Sequence, residues 1–255
     1  MGLFDAKYCD VCGNKIKFLG NKKLEDANLC KDCASKLSPW FSGRRHSTLE
    51  DIKAQLQYRE ENKAEVEKFH VTRSIGRNEK LLIDEDAGKF TVTSSSNLKA
   101  DNPDIIDVSK ITGCDLDIQE SKSEIYGKDK DGKEVSFNPP RYEYDYDFYI
   151  TIFVDHPYFD DMRFRLNSSS VETGQMPANA TRAGVRVGSS GDYAEYEAMG
   201  NEIKSVLEAL RTGARDKIAK ANEPKRAVKC PHCMATTIPT AEGRCEYCGA
   251  PLDLG

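Results

Sequence analysis

Tyr8-Cys9-Asp10-Val11-Cys12-Gly13 and Leu29-Cys30-Lys31-Asp32-Cys33-Ala34-Ser35-Lys36-Leu37 place two Cys-x-x-Cys pairs on either side of a short polar insert. One such pair is a weak signal. Two pairs at this separation supply all four corners of a tetrahedron, the geometry of a structural zinc site. Cys9, Cys12, Cys30 and Cys33 are therefore the first candidate ligand set. Gly13 permits the tight turn that aims backbone amides at sulfur. Ile16, Phe18 and Leu19 predict the start of a hairpin turning at Gly20-Asn21. Leu29-Cys30 predicts entry into a helix with Cys33 in its first turn and Ala34 and Leu37 on its apolar side. The layout is a treble-clef-like finger over residues 1–46. A segment of this size buries too little apolar surface to fold alone, and zinc contributes roughly 10–16 kcal/mol of apparent folding free energy in comparable peptides.

The far end repeats the device. Cys230-Pro231-His232-Cys233 and Cys245-Glu246-Tyr247-Cys248-Gly249 have the spacing of a zinc ribbon over 221–255. Cys-Pro-His-Cys is also the active motif of a strongly oxidising thioredoxin-fold oxidase, but too few residues follow Cys233 to build that fold. Cys230, Cys233, Cys245 and Cys248 complete a prediction of two structural zinc ions. The ninth cysteine, Cys114, lies in an alternating apolar stretch and reads as a small buried hydrophobe.

Composition bounds the rest. The chain has 255 residues, 38% hydrophobic and 31% charged, and no apolar run approaches the roughly 20 residues of a membrane span. The start lacks the charged and apolar regions of a secretory signal. With metal-like cysteine spacing this predicts a reducing, cytoplasmic setting. The net charge of −5 is uneven: residues 1–70 carry +2, residues 71–210 carry −10 and residues 211–255 carry +3. An acidic middle is a poor footprint for a nucleic-acid binder, whose affinity comes largely from neutralising phosphates.

Between the metal modules, Ser38-Pro39-Trp40-Phe41 reads as a connector in which Trp40 anchors the finger, and His46 reads as exposed. Ser47 with Glu50 predicts a capping box opening a linking helix over 47–68. Leu49, Ile52 and Leu56 share one face, followed by a charged, solvated stretch from Tyr58 to Lys68 with only Val66 to bury. Antiparallel strands follow, beginning at Phe69-His70-Val71-Thr72. A hairpin joins Leu81-Leu82-Ile83 to Phe90-Thr91-Val92, and a strand carries Tyr142, Tyr144, Tyr146, Phe148, Ile150, Ile152 and Val154 on one face. Met162, Phe164 and Leu166 face inward on its partner. The segment 168–191 reads as a long loop. Asp192 and Glu195 predict a cap for a helix with the stripe Tyr196, Met199, Ile203, Val206, Leu207 and Leu210. Many short strands closed by one helix suggest an α+β domain over 69–220, a PH-like or GRAM-like antiparallel barrel or sandwich.

The residues Tyr8–Gly13, Leu29–Cys33, Leu37-Ser38-Pro39-Trp40-Phe41 and 47–59 resemble an uncharacterised domain family of bacteria and their phages. That family starts with a four-cysteine finger followed by a helix. The last residues are similar to the short zinc ribbons found on many bacterial proteins. The resemblance implies a bacterial zinc-binding protein and carries no assigned activity.

Both predicted metal sites are closed by four protein ligands, and none of the four histidines sits in a triad or helical zinc pattern. The expectation is a non-enzymatic adaptor with no catalytic residues, binding another protein. Three rival readings are a nucleic-acid binder using the ribbon with Lys225, Arg226 and Lys229 and, at the other end, Arg44 and Arg45, a membrane-surface module using the PH-like domain, and a thiol-redox protein.

Overall fold

In the computed structural model, which describes residues 6–177, 191–222, 228–240 and 242–252, the chain divides into two compact units, residues 1–212 and 213–255. The first begins with the finger. Its hairpin is formed by β1 (Lys22–Lys23) and β2 (Asn28–Leu29), later in the sequence than expected. Ile16 is buried, but Phe18 and Leu19 are exposed and form no strand. A turn closed by the Gly20 amide on the Lys17 carbonyl uses up these residues before pairing can begin. The short helix α1 (Lys31–Ala34) follows directly, with Cys30 as its N-cap.

A 3₁₀ turn (Gly43–His46) leads to α2 (Leu49–Lys68). The capping box is built one residue later than Ser47 and Glu50 predict: Thr48 accepts from the Asp51 amide, and Asp51 accepts from the Thr48 amide. Ser47 is already committed, since its hydroxyl donates to the Gly43 carbonyl. The second half of α2 is not a solvated rod either. Arg59 and Asn62 are buried there along with Val66, as Ile52 and Gln55 are in the first half.

Two antiparallel sheets form next. In the first, β3 (Arg73–Gly76), β4 (Lys80–Asp84), β5 (Lys89–Thr93) and β6 (Ile106–Asp107) lie in that order. Helix α2 runs to Lys68, so pairing begins at Arg73 and not at Phe69. The β4–β5 hairpin pairs Leu81 with Val92 and Ile83 with Phe90, as alternation predicts. A short helix, α3 (Leu98–Asp101), lies between β5 and β6.

The second sheet is organised on β7 (Ile111–Lys128) and β8 (Glu134–Val154), one long hairpin where shorter strands were expected. It has a bulge where residues 137–140 of β8, including Pro139-Pro140, find no partner on β7. β9 (Asp161–Arg165) pairs with the Tyr149–Phe153 end of β8, and β10 (Val171–Pro177) with the Arg141–Tyr146 end. Asn167 bridges the junction: its side chain accepts from the Phe148 amide and donates to the Tyr146 carbonyl. The predicted loop at 168–191 thus starts as a strand, and residues 178–190 lie outside the described residues.

Phe148, Ile150, Ile152, Val154, Met162, Phe164 and Leu166 are buried, while Tyr142, Tyr144 and Tyr146 at the far end of β8 are only half-buried. Helix α4 (Gly191–Asn222) covers this sheet. Asp192 sits inside its first turn and is not its cap. Tyr196 stacks at 5.7 Å from Phe148, and Gly200 approaches Leu116 so closely that a Cβ would lie 2.6 Å from a leucine methyl. Ile203 and Leu207 continue the buried stripe.

The expected barrel is not closed. No ladder joins the two sheets among the described residues. The cause is local: β6 has two residues, and the 3₁₀ turn Val108–Lys110 redirects the chain before β7 begins. The observed class is a mixed α+β fold with antiparallel sheets.

The second unit contains the C-terminal part of α4 and a two-stranded ribbon, β11 (Val228–Lys229) with β12 (Thr236–Thr237). Lys225 and Arg226, proposed for nucleic-acid contact, lie outside the described residues.

Candidate metal centres

Three of the four Cys-x-x-Cys pairs share one backbone design. In each, the residue after the second cysteine donates its amide to the carbonyl of the first: Gly13 to Cys9 at 2.8 Å, Met234 to Cys230 at 2.9 Å and Gly249 to Cys245 at 2.8 Å. The first cysteine's amide donates to the carbonyl two residues beyond the second, at Asn14, Ala235 and Ala250. All three pivot residues have positive φ: 72° at Gly13, 62° at Met234 and 70° at Gly249. Glycine takes this conformation without steric cost, and methionine does not. Repetition of the turn at Met234 shows that the knuckle's hydrogen-bond pattern is kept against the residue's preference.

The fourth pair is built from a helix end. The Cys30 sulfur accepts from the Cys33 amide at 3.4 Å, and the Cys30 amide donates to the Cys9 sulfur at 3.3 Å. One knuckle plus one helix start makes the finger. Two knuckles make the ribbon.

Cys9, Cys12, Cys30 and Cys33 converge with all sulfur atoms within 4.8 Å of one another, and Cys230, Cys233, Cys245 and Cys248 do the same. The Cys12–Cys30, Cys230–Cys248 and Cys233–Cys245 sulfur distances are 3.8, 3.7 and 3.6 Å. A zinc–sulfur bond of about 2.3 Å in a regular tetrahedron requires sulfur edges of about 3.8 Å, whereas a disulfide requires about 2.05 Å. All nine cysteines are free thiols. The donor sets fit zinc.

Charge leads to the same conclusion. Burial raises the Cys9 pKa, but amides of Cys12, Cys30 and Val11 outweigh it and bring the thiol down to about 6. Burial pushes Cys33 the other way, reinforced by its hydrogen bonds to the other three sulfurs. Crowded sulfurs without a cation share their protons unequally, because adjacent thiolates repel. A dication would allow all four to ionise. Cys114 takes no part. It is half-buried on β7, and burial pushes its thiol up to about 12, leaving it unreactive.

A domain of unknown function, DUF4428, matches residues 7–55. The match spans the finger and the first turns of α2, the stretch in which all four N-terminal cysteines lie. No curated protein and no solved structure matches the chain.

The finger is joined to the sheets by a polar cluster that sequence reasoning missed. Asp104, wholly buried, accepts from Ser38 Oγ at 2.9 Å, Tyr58 Oη at 3.1 Å and Arg59 at 2.6 Å. Arg59 also donates to the Lys36 and Asn102 carbonyls. Asn62 donates to the Pro103 carbonyl and accepts from the Ile105 amide. Gln55 accepts from the Ser38 amide. Burial and the nearby Asp104 charge push the Tyr58 hydroxyl far above its ordinary pKa, so it stays a donor. Tyr58 also packs edge-on against His156, whose pKa burial lowers. The cluster has the composition of a site, but its hydrogen bonds run from one element of the fold to another, as in a structural joint. Trp40 is half-buried beside it, its amide on Ser38 Oγ, and Phe41 packs on the finger's core. His46 is exposed, as expected.

Proposed function

We propose that this protein is a non-enzymatic, zinc-stabilised adaptor that binds another protein. The observation that carries the reading is the closure of both metal sites. Four cysteine sulfurs surround each centre, so a zinc ion held there has no open position for water or substrate. Among the described residues, buried polar groups such as Asp104, Arg59 and Asn62 are engaged in structural hydrogen bonds. The PH-like comparison is supported by α4 lying on an antiparallel sheet and weakened by the lack of a ladder between the two sheets. The two cysteine clusters, at opposite ends of the sequence, then act as clips for the surfaces between them. Among the described residues no helix is long and apolar enough to cross a membrane.

X-ray absorption on the purified full chain tests the closed sites. Two zinc ions per chain, each with four sulfur neighbours and no light-atom ligand, is the expected result. An oxygen or nitrogen neighbour at either ion would reopen a catalytic role. The adaptor reading further requires a saturable protein partner whose cross-links map to the chain's surface. If native-source purification returns the protein alone at every salt concentration, the adaptor reading fails.

A further inference from the structure

The finger's least buried apolar residues are adjacent. Phe18 is 91% exposed and Leu19 is 86% exposed, at the tip of the turn that the Gly20 amide closes on Lys17. Single exposed hydrophobics are ordinary. Two neighbours at one tip are less so, and Leu19 holds φ 60°, a left-handed conformation that leucine rarely takes. The tip is held from below, because Ile16 and Gly20 on either side are buried and Asn21 bonds Asn28 at 2.7 Å.

The surroundings of the tip are basic. Residues 15–23 contain Lys15, Lys17, Lys22 and Lys23 and no acidic residue. A groove of about 500 Å³ beside the tip is lined by Lys22, Lys23, Arg44 and Arg45, with Glu25 its one acid. Arg44 donates to the Lys23 carbonyl, which ties the two sides of the groove together. None of these six cations forms an ion pair among the described residues. Other described cations of the first unit, Lys31 and Lys53 among them, also lack ion pairs, while Arg73, Arg77, Lys89, Lys110, Arg163 and Arg165 face carboxylates. What sets the six finger cations apart is their gathering around one apolar tip.

We propose that this tip docks on an anionic phospholipid surface, with Phe18 and Leu19 entering the interface and Lys22, Lys23, Arg44 and Arg45 meeting headgroup phosphates. An apolar point with a basic collar matches a membrane boundary, where buried apolar area and attraction to anionic lipid add. A protein-binding patch would be depleted of lysine. A single-stranded nucleic acid would stack its bases on aromatic rings, and Leu19, half of this tip, offers no such face, which favours lipid. The acidic sheet region does not prevent docking, because charges separated by more than about 8 Å are largely screened at physiological salt. The membrane role thus falls to the finger and not to the PH-like domain.

Vesicle flotation of the zinc-loaded full chain tests this, comparing pure phosphatidylcholine with phosphatidylcholine doped with phosphatidylglycerol. The wild-type chain is expected to float only with the anionic vesicles and to be released by raised salt. The double variant Phe18→Ser with Leu19→Ser should bind at least about tenfold more weakly. Lys22→Glu with Lys23→Glu should lose about 25-fold or more, since each basic residue near such a surface contributes about fivefold. All four positions lie outside the cores, and zinc content reports whether each variant keeps its finger. Absence of flotation, equal flotation on neutral vesicles, or variants that float like wild type would each overturn the proposal. So would a tip variant that loses a bound protein while the wild type ignores lipid.

Discussion

The two four-cysteine modules share their chemistry but rest on different amounts of protein. Around the finger's cysteines, Leu24, Leu29, Leu37 and Ile52 form a buried cluster, with Val11, Phe41, Leu49 and Leu56 packed against it. Around the ribbon's cysteines, among the described residues, there are only Leu252 and the half-buried Val228. The finger also engages α2 and the 102–105 loop through Asp104 and Arg59. Apolar burial stabilises by about 25 cal/mol per Å², so the finger has a second source of stability where the ribbon has almost none. One kind of ion in both sites would therefore act as a clip in one place and as nearly the whole fold in the other.

The largest test is removal of zinc. Chelation should abolish amide protection throughout 228–252, because such modules owe roughly 10–16 kcal/mol of folding free energy to the metal. Around Leu29 and Ile52 residual protection should persist. Equal loss at both ends in hydrogen exchange would break the comparison. Next is the joint. Asp104→Ala leaves the Arg59 guanidinium buried without its carboxylate, and removing one partner of a buried pair costs about 3–5 kcal/mol. Denaturant unfolding should show this loss in the first unit and none in the ribbon. Leu29→Ala, at a fully buried position, should cost about 3 kcal/mol and make the finger more zinc-dependent, read as a lower chelator concentration at half release. Thr48→Ala removes the α2 cap and should cost about 1 kcal/mol, measurable as a small drop in thermal midpoint. The smallest effect has the opposite sign. Met234→Gly relieves a left-handed methionine and should tighten the ribbon by about 0.5–1 kcal/mol, seen as slower zinc release from that site alone.

Much of this contrast could be read in the sequence. Cys-x-x-Cys spacing identified all eight sulfurs that converge, because the zinc requirement is written in residue type and short-range distance. The β4–β5 hairpin and the inward face of β8 and β9 followed from alternation. Three features did not. Asp104 and Arg59 look solvated in sequence because charged residues usually are, and their burial depends on partners 45 and 66 positions away. Phe18 and Leu19 look like strand residues because hydrophobicity says nothing about where a turn will fall. The open sheet pair escaped because Val108–Lys110 gives no strong signal for the turn that separates the ladders.

The reach of Asp104 also sets an order of events during synthesis. The finger's ligands are complete once Cys33 has emerged, and α2 is complete at Lys68. Ser38, Tyr58 and Arg59 must wait for residue 104 before their acceptor exists. A chain emerging N-terminus first could therefore load a first metal ion while the finger and α2, already packed together, are still undocked from the sheet, and it fixes that pair only when the 102–105 loop arrives. Metal capture and docking become separate events in time. A nascent chain halted before residue 104 should hold zinc in a finger already packed on α2 but not yet fixed to the sheet that follows.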